Sequence, residues 1–466
     1  MTTDVLIVGA GPAGLSLATG LAKTGAKVEI VDEQPAPGGQ VYRASEHNAA
    51  TPQPRGWLGP DYAKGADLVA RARATEGIRW RMATSVWDIR PEKDGCELGL
   101  LCDGKVSVAA ARHVVLATGA MERPTPFAGW TLPGVMSIGA AQTLFKESGL
   151  LPQDGVVLAG QGPLLYLFIA QILAAGIKPR AVLDFGPRWA RPATLPSLVQ
   201  AALASPGQIV KGLRLRAEIA RAGVEHVYGV ERIEALGDGA INRVSFRHRG
   251  KIREIETSLL LAHDGVIPNT HMSAAAGCAL EWTADQAAWC PRLDGKGQST
   301  RERVWVLGDG AGILGADAAV LGGRIMARDM ARALGLPSSD DSLDRRGDRR
   351  DLRRLKRLRR FLDRQYPPIA AFAQPPDDTT ICRCEAVKAG DIRTIARAGC
   401  MGPNQLRAFS RAGMGPCMGR QCGNAISQIM AVETGRSIAE TGCFSIRTPL
   451  KPVTLAELAS LKDDEQ

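Results

Sequence analysis

The run Asp4-Val5-Leu6-Ile7-Val8-Gly9-Ala10-Gly11-Pro12-Ala13-Gly14 constrains this chain more than any other segment. Four consecutive apolar residues with no polar alternation mark a strand buried on both faces, as in a parallel sheet. The glycines then turn the chain into a helix through Leu15, Leu17, Ala18 and Leu21. Gly9 allows the tight turn, Gly11 lets a pyrophosphate approach the backbone amides, and Gly14 lets the helix, opened by Pro12 and Ala13, lie close on the strand. A second strand, Val28-Glu29-Ile30-Val31, ends at Asp32-Glu33. That is about twenty residues past the turn, where a ribose hydroxyl needs an acceptor, and Asp32 is the better placed of the two. Strand, glycine turn, helix, strand and acid in this order specify an α/β adenine-dinucleotide fold.

Three further turns follow: Gly38-Gly39-Gln40, then Val114-Val115-Leu116-Ala117-Thr118-Gly119-Ala120, then Val304-Trp305-Val306-Leu307-Gly308-Asp309-Gly310. Alone, each is an ordinary strand-helix connection; in this order they resemble the two-dinucleotide-domain flavoprotein superfamily that includes thioredoxin and glutathione reductases. The resemblance implies FAD at the N-terminal site and puts Asp309 against the flavin's ribityl and pyrophosphate groups. A second nucleotide pattern begins at Val156-Val157-Leu158-Ala159-Gly160-Gln161-Gly162-Pro163-Leu164-Leu165. Its third glycine is Leu165, whose side chain should push helix from strand, so nicotinamide binding is not expected. The strand Ala181-Val182-Leu183-Asp184 still ends in an acid, leaving another adenine nucleotide or an empty, structural fold open. The apolar stretch Leu164 to Ile177 is shorter than the roughly twenty residues a membrane span needs.

No two cysteines stand as CxxC, so disulfide-reductase chemistry is excluded. No acid-base constellation is evident, and no catalytic residue is assigned. His263-Asp264-Gly265 and Asn269-Thr270-His271 read as polar loop residues. Cys382-Arg383-Cys384 and Cys417-Met418-Gly419-Arg420-Gln421-Cys422 are different, because thiolates at fixed short spacing grip iron-sulfur clusters or structural zinc. The one-residue gap of Cys382/Cys384 fits iron-sulfur better; zinc remains the rival. Cys96, Cys102, Cys278, Cys290, Cys400 and Cys443 show no such pairing and read as small buried hydrophobes.

Gly129-Trp130-Thr131-Leu132-Pro133-Gly134-Val135-Met136, Asp264-Gly265, Cys382-Arg383-Cys384-Glu385 and Arg411-Ala412-Gly413-Met414-Gly415-Pro416-Cys417, with Gly419-Arg420 and Cys422-Gly423, carry a closer resemblance. The whole chain resembles the alpha (A) subunit of bacterial heteromeric amino-acid dehydrogenases, a group that includes octopine and nopaline oxidases, D-hydroxyproline dehydrogenase and the hydrogen cyanide synthase B subunit. The C-terminal part resembles a bacterioferritin-associated-ferredoxin-type (BFD-like) 2Fe-2S domain, small and mainly helical. The resemblance implies a 2Fe-2S cluster on Cys382, Cys384, Cys417 and Cys422. It also implies an amino-acid-oxidising beta subunit with a D-amino-acid-oxidase-like fold, and admits FMN at a subunit interface and a small gamma subunit. This chain would then relay electrons to a quinone or other acceptor without touching the amino acid.

At 466 residues the chain exceeds one core. The expected division is 1–122 with 295–340 as a discontinuous FAD-type domain, 150–270 as the degenerate second fold, 341–375 as a basic helical linker, and 376–466 as the cluster domain and tail. From Arg345 to Arg364 there are eleven Lys/Arg against three Asp, with Leu352, Leu355, Leu358 and Leu362 at helical spacing. One packed face with solvated arginines accounts for this; docking to an acidic subunit or peripherally to an anionic membrane is the alternative. The basic run lacks a set of interleaved aromatics, Phe361 alone falling within it, so nucleic acid is not an expected partner. The first strand begins without a signal peptide before it, which points to the cytoplasm. The competing function is a self-contained NAD(P)H-dependent flavin reductase feeding the cluster.

Overall fold

A computed structural model of the chain describes residues 3–51, 55–337 and 342–462. The strand Thr3–Val8 runs parallel to Val28–Val31 on one side and to Lys105–Leu116 on the other. Ile78–Arg81 extends the sheet beyond Val28–Val31, and Val304–Val306 pairs with Lys105–Leu116. The antiparallel strands Cys96–Cys102 and Ser85–Pro91 complete it. Val5, Leu6 and Ile7 have no exposed surface, as their uninterrupted apolar run requires. One face is covered by the helices Pro12–Ala22 and Ala316–Ala333, where Leu15, Leu17, Leu21, Met326 and Met330 share one core. The two helices touch through glycines: a Cβ on Gly20 would lie 2.6 Å from that of Ala327, and one on Gly323 would lie 2.7 Å from the Ala13 carbonyl oxygen.

The second nucleotide fold is a parallel sheet in the order Glu225–Tyr228, Ala181–Asp184, Val157–Gly160, Leu260–His263, Val135–Ser137. An antiparallel three-stranded sheet, Val230–Leu236, Arg243–His248 and Lys251–Glu256, lies in the same core. The two folds are joined by an antiparallel ribbon in which Ala120–Glu122 pairs with Val266–Pro268. The chain thus crosses out through one strand and back through the other.

The basic helix Ser342–Gln365 packs on Ala316–Ala333, where Arg328 meets Asp348 at 2.9 Å, and on Leu195–Ala204 of the second fold. The C-terminal domain has its own core of Ile381, Ile392, Leu406, Ile426, Ile429, Met430 and Phe444, built from the strand Thr380–Cys382 and the helices Ala389–Arg397, Pro403–Ser410 and Gly423–Thr434. The tail beyond it leaves that domain and returns to the first sheet. Leu450 N–H donates to the Trp87 carbonyl at 2.6 Å, Lys451 pairs with Glu33, and Val106 N–H donates to Ser460 Oγ at 3.2 Å. No helix among the described residues is long and apolar enough to cross a membrane.

Candidate functional site

The three glycines of the first turn divide by what a side chain would meet. A Cβ on Gly9, whose φ is +114°, would lie 2.4 Å from the Ala117 carbonyl oxygen, and one on Gly14 would lie 2.0 Å from that of Gly9. Those two positions serve the protein's own packing. Gly11 has an ordinary φ of −79°, and a Cβ there would meet only the Gly39 Cα, at 3.8 Å. Gly119, Gly312 and Gly315 have nothing within 4 Å of theirs. The helices Pro12–Ala22 and Ala316–Ala333 start at Gly11 and Gly315 with no side-chain cap, so their first-turn N–H groups remain available to an anion. Gly308 stands against Ala13, so the Gly308-Asp309-Gly310 turn lies beside the start of the first helix. Open space lined by uncapped amides fits a pyrophosphate.

Asp32 braces this turn. Its Oδ2 accepts the Ala10 N–H at 2.6 Å and its Oδ1 the Gln34 N–H at 2.8 Å, while burial lifts the carboxyl above its ordinary pKa. Each oxygen keeps a lone pair for a ribose hydroxyl. Glu33 is half-exposed and bound to Lys451 of the tail. Gln40 is turned toward the second fold: its side-chain oxygen accepts from Arg43 at 3.1 Å, and its carbonyl from Lys146 Nζ at 3.1 Å. Thr118 Oγ1 donates to the Asn269 carbonyl at 2.9 Å, tying the Ala117-Thr118-Gly119 turn to the returning strand. Asp309 shapes the loop into the second helix, its Oδ1 accepting from Leu314 and Gly315, each at 2.8 Å. Gly315 and the buried Arg43, whose Nε has no partner among the described residues, were not singled out from sequence; the glycine density of residues 308–315 was the available signal for the first.

The second fold has the same topology and a different interior. Leu165 is fully buried where the first fold has Gly14. Asp184, the acid at the ribose position, is fully buried and committed: its Oδ2 accepts from the Tyr166 hydroxyl at 2.6 Å and lies 3.2 Å from His226 Nε2, and its Oδ1 accepts from Gly186 N–H at 2.8 Å. The chain's own segment 365–369 crosses the carboxyl ends of the strands. Gln161 donates to the Pro367 carbonyl, the Ile369 N–H donates to Asp264 Oδ1 at 3.0 Å, and the Tyr366 ring lies 6.4 Å from that of Tyr166. In open parallel sheets that edge is where a nucleotide lies. Here it is filled by protein.

His263 and His271 are not the loop residues that their sequence context suggests, and Asp264, which does lie in the turn between two strands, is buried. His263 ends a buried strand with Nδ1 2.6 Å from Glu122 Oε1, and Glu122 Oε2 accepts the Gly139 N–H at 2.7 Å. Asp264 is buried beside Arg123, 3.7 Å away, and burial pushes it up to about 6 against that pull. His271 stands 3.2 Å from the Met418 carbonyl, and burial pushes it down to about 4.

That contact links the interdomain ribbon to the cysteine loop. The four thiols form two pairs, each with one member from each motif. Cys384 Sγ lies 3.9 Å from Cys417 Sγ. Cys382 is hydrogen-bonded with Cys422, which pulls Cys382 down to about 5, helped by the N–H groups of Gly413, Glu385 and Cys384; the same bond and burial push Cys422 up. Among the described residues no three His, Cys, Asp or Glu side chains converge as a single metal ion would need. Two pairs suit two irons better than one tetrahedral zinc. The loop is tight: a Cβ on Gly415 would lie 2.2 Å from that of Cys384, and Met418 and Gly419 have φ of +52° and +82°. A small cleft of about 70 Å³ opens between this loop and the ribbon, lined by Met121, Ile267, His271, Trp289, Arg420 and Phe444 among others.

Residues 3–160 match the pyridine nucleotide-disulphide oxidoreductase family, and residues 380–432 match the BFD-like [2Fe-2S] binding domain. The chain is 41% identical to the A subunit of opine oxidase from Rhizobium meliloti (strain 1021), over 98% of each chain. It is 30% identical to the HcnB subunit of hydrogen cyanide synthase from Pseudomonas protegens, over 97% of each. Among solved structures, L-proline dehydrogenase from P. horikoshii superposes with a TM-score of 0.69 at 18% identity, covering 98% of this chain and 79% of that one. Thioredoxin reductase from T. acidophilum gives 0.53 at 20%, covering 71% and 98%. These two likenesses concern the fold. FAD and a [2Fe-2S] cluster are the cofactors that the two matched domains carry. The chain belongs to the family of HcnB and the opine oxidase A subunit, the flavin and iron-sulfur components of heteromeric oxidases.

Proposed function

We propose that this chain relays electrons from an amine-oxidising beta subunit to a quinone or other acceptor, with an opine or related amino acid as the ultimate donor, in the cytoplasm. The observation that carries this reading is the filled crevice of the second fold: where a nicotinamide nucleotide would enter, Gln161, Asp184 and Asp264 hold Tyr166 and the segment 365–369. Gly11 leaves room for the FAD pyrophosphate, the N-termini of the two uncapped helices hold it, and Asp32 takes a ribose hydroxyl while bracing the turn. Gly39, Ala117, Thr118, Gly119, Gly308 and Asp309 shape the remainder of the cradle. Cys382, Cys384, Cys417 and Cys422 hold the cluster, with backbone N–H groups directed at Cys382. When bound, FAD accepts electron pairs and the cluster passes single electrons onward. His271 fixes the distance between the ribbon and the cysteine loop. The family resemblance supports a D-amino-acid-oxidase-like partner and admits a small third subunit.

The purified chain, mixed anaerobically with NADH, NADPH or any amino acid, is expected to keep its flavin oxidised; co-expression with the amine-oxidising subunit should confer amine-driven reduction. Rapid bleaching by NADH would instead establish the reductase reading. Replacing Cys382 with Ser should remove about two irons and two sulfides while FAD stays bound, because the cluster domain has its own core.

A further inference from the structure

The helices Leu195–Ala204 and Pro206–Arg221 lie on the outside of the second fold, joined by Ser205 alone. On the first, Leu195, Val199 and Leu203 are 51%, 58% and 82% exposed. Their spacing of four places them in one line about 12 Å long on a single helix face. The opposite face, with Ser197 and Ala201 buried, packs toward the basic helix Ser342–Gln365. Val210 and Leu213 continue the apolar surface onto the second helix, and Trp189, 75% exposed, precedes it. Six of the seventeen large apolar side chains exposed on the described residues therefore fall between positions 189 and 213, a concentration that scattered surface hydrophobes do not produce.

The charge around this patch is predominantly positive, with Lys211 paired to Asp61. From Arg188 to Arg221 there are six Lys/Arg and a single acid, Glu218. Arg188 stands over the Trp189 ring at 5.5 Å, and Arg214 and Arg221 flank Leu213 and Val210 along a shallow groove. An apolar line in a field of cations, with an indole beside a guanidinium at its edge, is the arrangement of a helix pair lying in a bilayer interface. Cations on the segment 188–191 and along the helix Pro206–Arg221 suit a surface of many negative headgroups better than a few discrete carboxylates.

We propose that this face docks on an anionic phospholipid bilayer, with Leu195, Val199, Leu203 and Leu213 seated among the acyl chains and the flanking arginines on the headgroups. The inference goes beyond the electron-relay reading and does not depend on it.

Co-sedimentation of the full-length holo chain with phosphatidylcholine vesicles, with and without about 30 mol% phosphatidylglycerol, tests it. Binding should be at least about tenfold stronger to the anionic vesicles and should fall away near 0.5 M salt, where screening is roughly 4 Å. Val199→Glu/Leu203→Glu should abolish it. Arg214→Glu should weaken it about fivefold or more. Leu455→Glu, at a side chain 85% exposed on the tail, should leave it unchanged. FAD and iron content measured on each variant verifies the fold. Equal binding to both vesicle types, or full binding by the double variant, overturns the proposal. So does a chain that ignores vesicles while the double variant loses the beta subunit, an outcome that makes the patch a protein interface.

Discussion

The two glycine turns, at Gly9-Ala10-Gly11 and at Gly160-Gln161-Gly162, head the same parallel-sheet topology and have opposite fates. In the first, the space over Gly11 is open and the helix that starts there has no side-chain cap. In the second, Gly160 is as crowded as Gly9, with a Cβ site 2.0 Å from the His263 carbonyl oxygen. The acid that would take a ribose is spent on Tyr166 and Gly186, and the linker covers the strand ends. Occupancy is thus decided less by the turn than by what lies over the carboxyl edge of the sheet. The second fold has become an anchor for the segment that carries the cluster domain.

Four measurements would break or sharpen that contrast. Leu165→Ala empties a fully buried site in the second fold and should cost about 2–5 kcal/mol of stability by thermal or denaturant unfolding. FAD content should not change, and the contrast fails if NADH then reduces the flavin. Gly11→Val meets almost no protein atom and should leave the apo fold intact. Overlap with the pyrophosphate of about 1–3 kcal/mol, roughly 5- to 150-fold in affinity, should appear in flavin titration. Full retention of FAD would show that the first turn was misread.

The third measurement concerns the joint between the folds. Lys146 is buried against Gln40 and Gln142, and burial, with Arg43 nearby, pushes its ammonium down from 10.5 to about 7. Between those values the unfolded chain holds a proton that the folded one has released, so stability should rise with pH across that window by at most about 1.4 kcal/mol per unit. Below it the cost of burying the charge is present in full. Lys146→Met should flatten the slope, and an unchanged slope would remove Lys146 as its source. The smallest effect is expected from Gln161→Ala, which removes the bond to Pro367: about 0.5–1.5 kcal/mol by the same unfolding assay, and faster proteolysis within the linker.

The apolar strands, the glycine turns and the misfit of Leu165 were legible in the sequence because they are local: a few adjacent residues state both the period and the turn. The filling of the second crevice was not, since Gln161 and Pro367 are brought together only by the tertiary fold. The same reason hid Asp264, read as a loop residue but held by Ile369 far along the chain. All four cluster cysteines stood out by spacing, yet their crosswise neighbours, Cys382 with Cys422 and Cys384 with Cys417, depend on how two distant loops meet. Asp309 was expected to face the flavin from a family likeness, and at least one of its oxygens is used to form the loop.

The first sheet has a consequence for synthesis. Ser16 Oγ donates to the Val320 carbonyl at 2.8 Å across 304 residues, and the strand Val304–Val306 belongs to the sheet that Thr3–Val8 begins. At a ribosome adding about 5–20 residues per second, roughly 15–60 s separate the two halves of that contact. For this interval Leu17, Leu21 and the strand beside them lack their cover, while every strand of the second sheet has already been made. The nascent chain must keep its earliest apolar segment from other partners, by chaperone or by transient collapse, and FAD can be enclosed only after the later half has emerged.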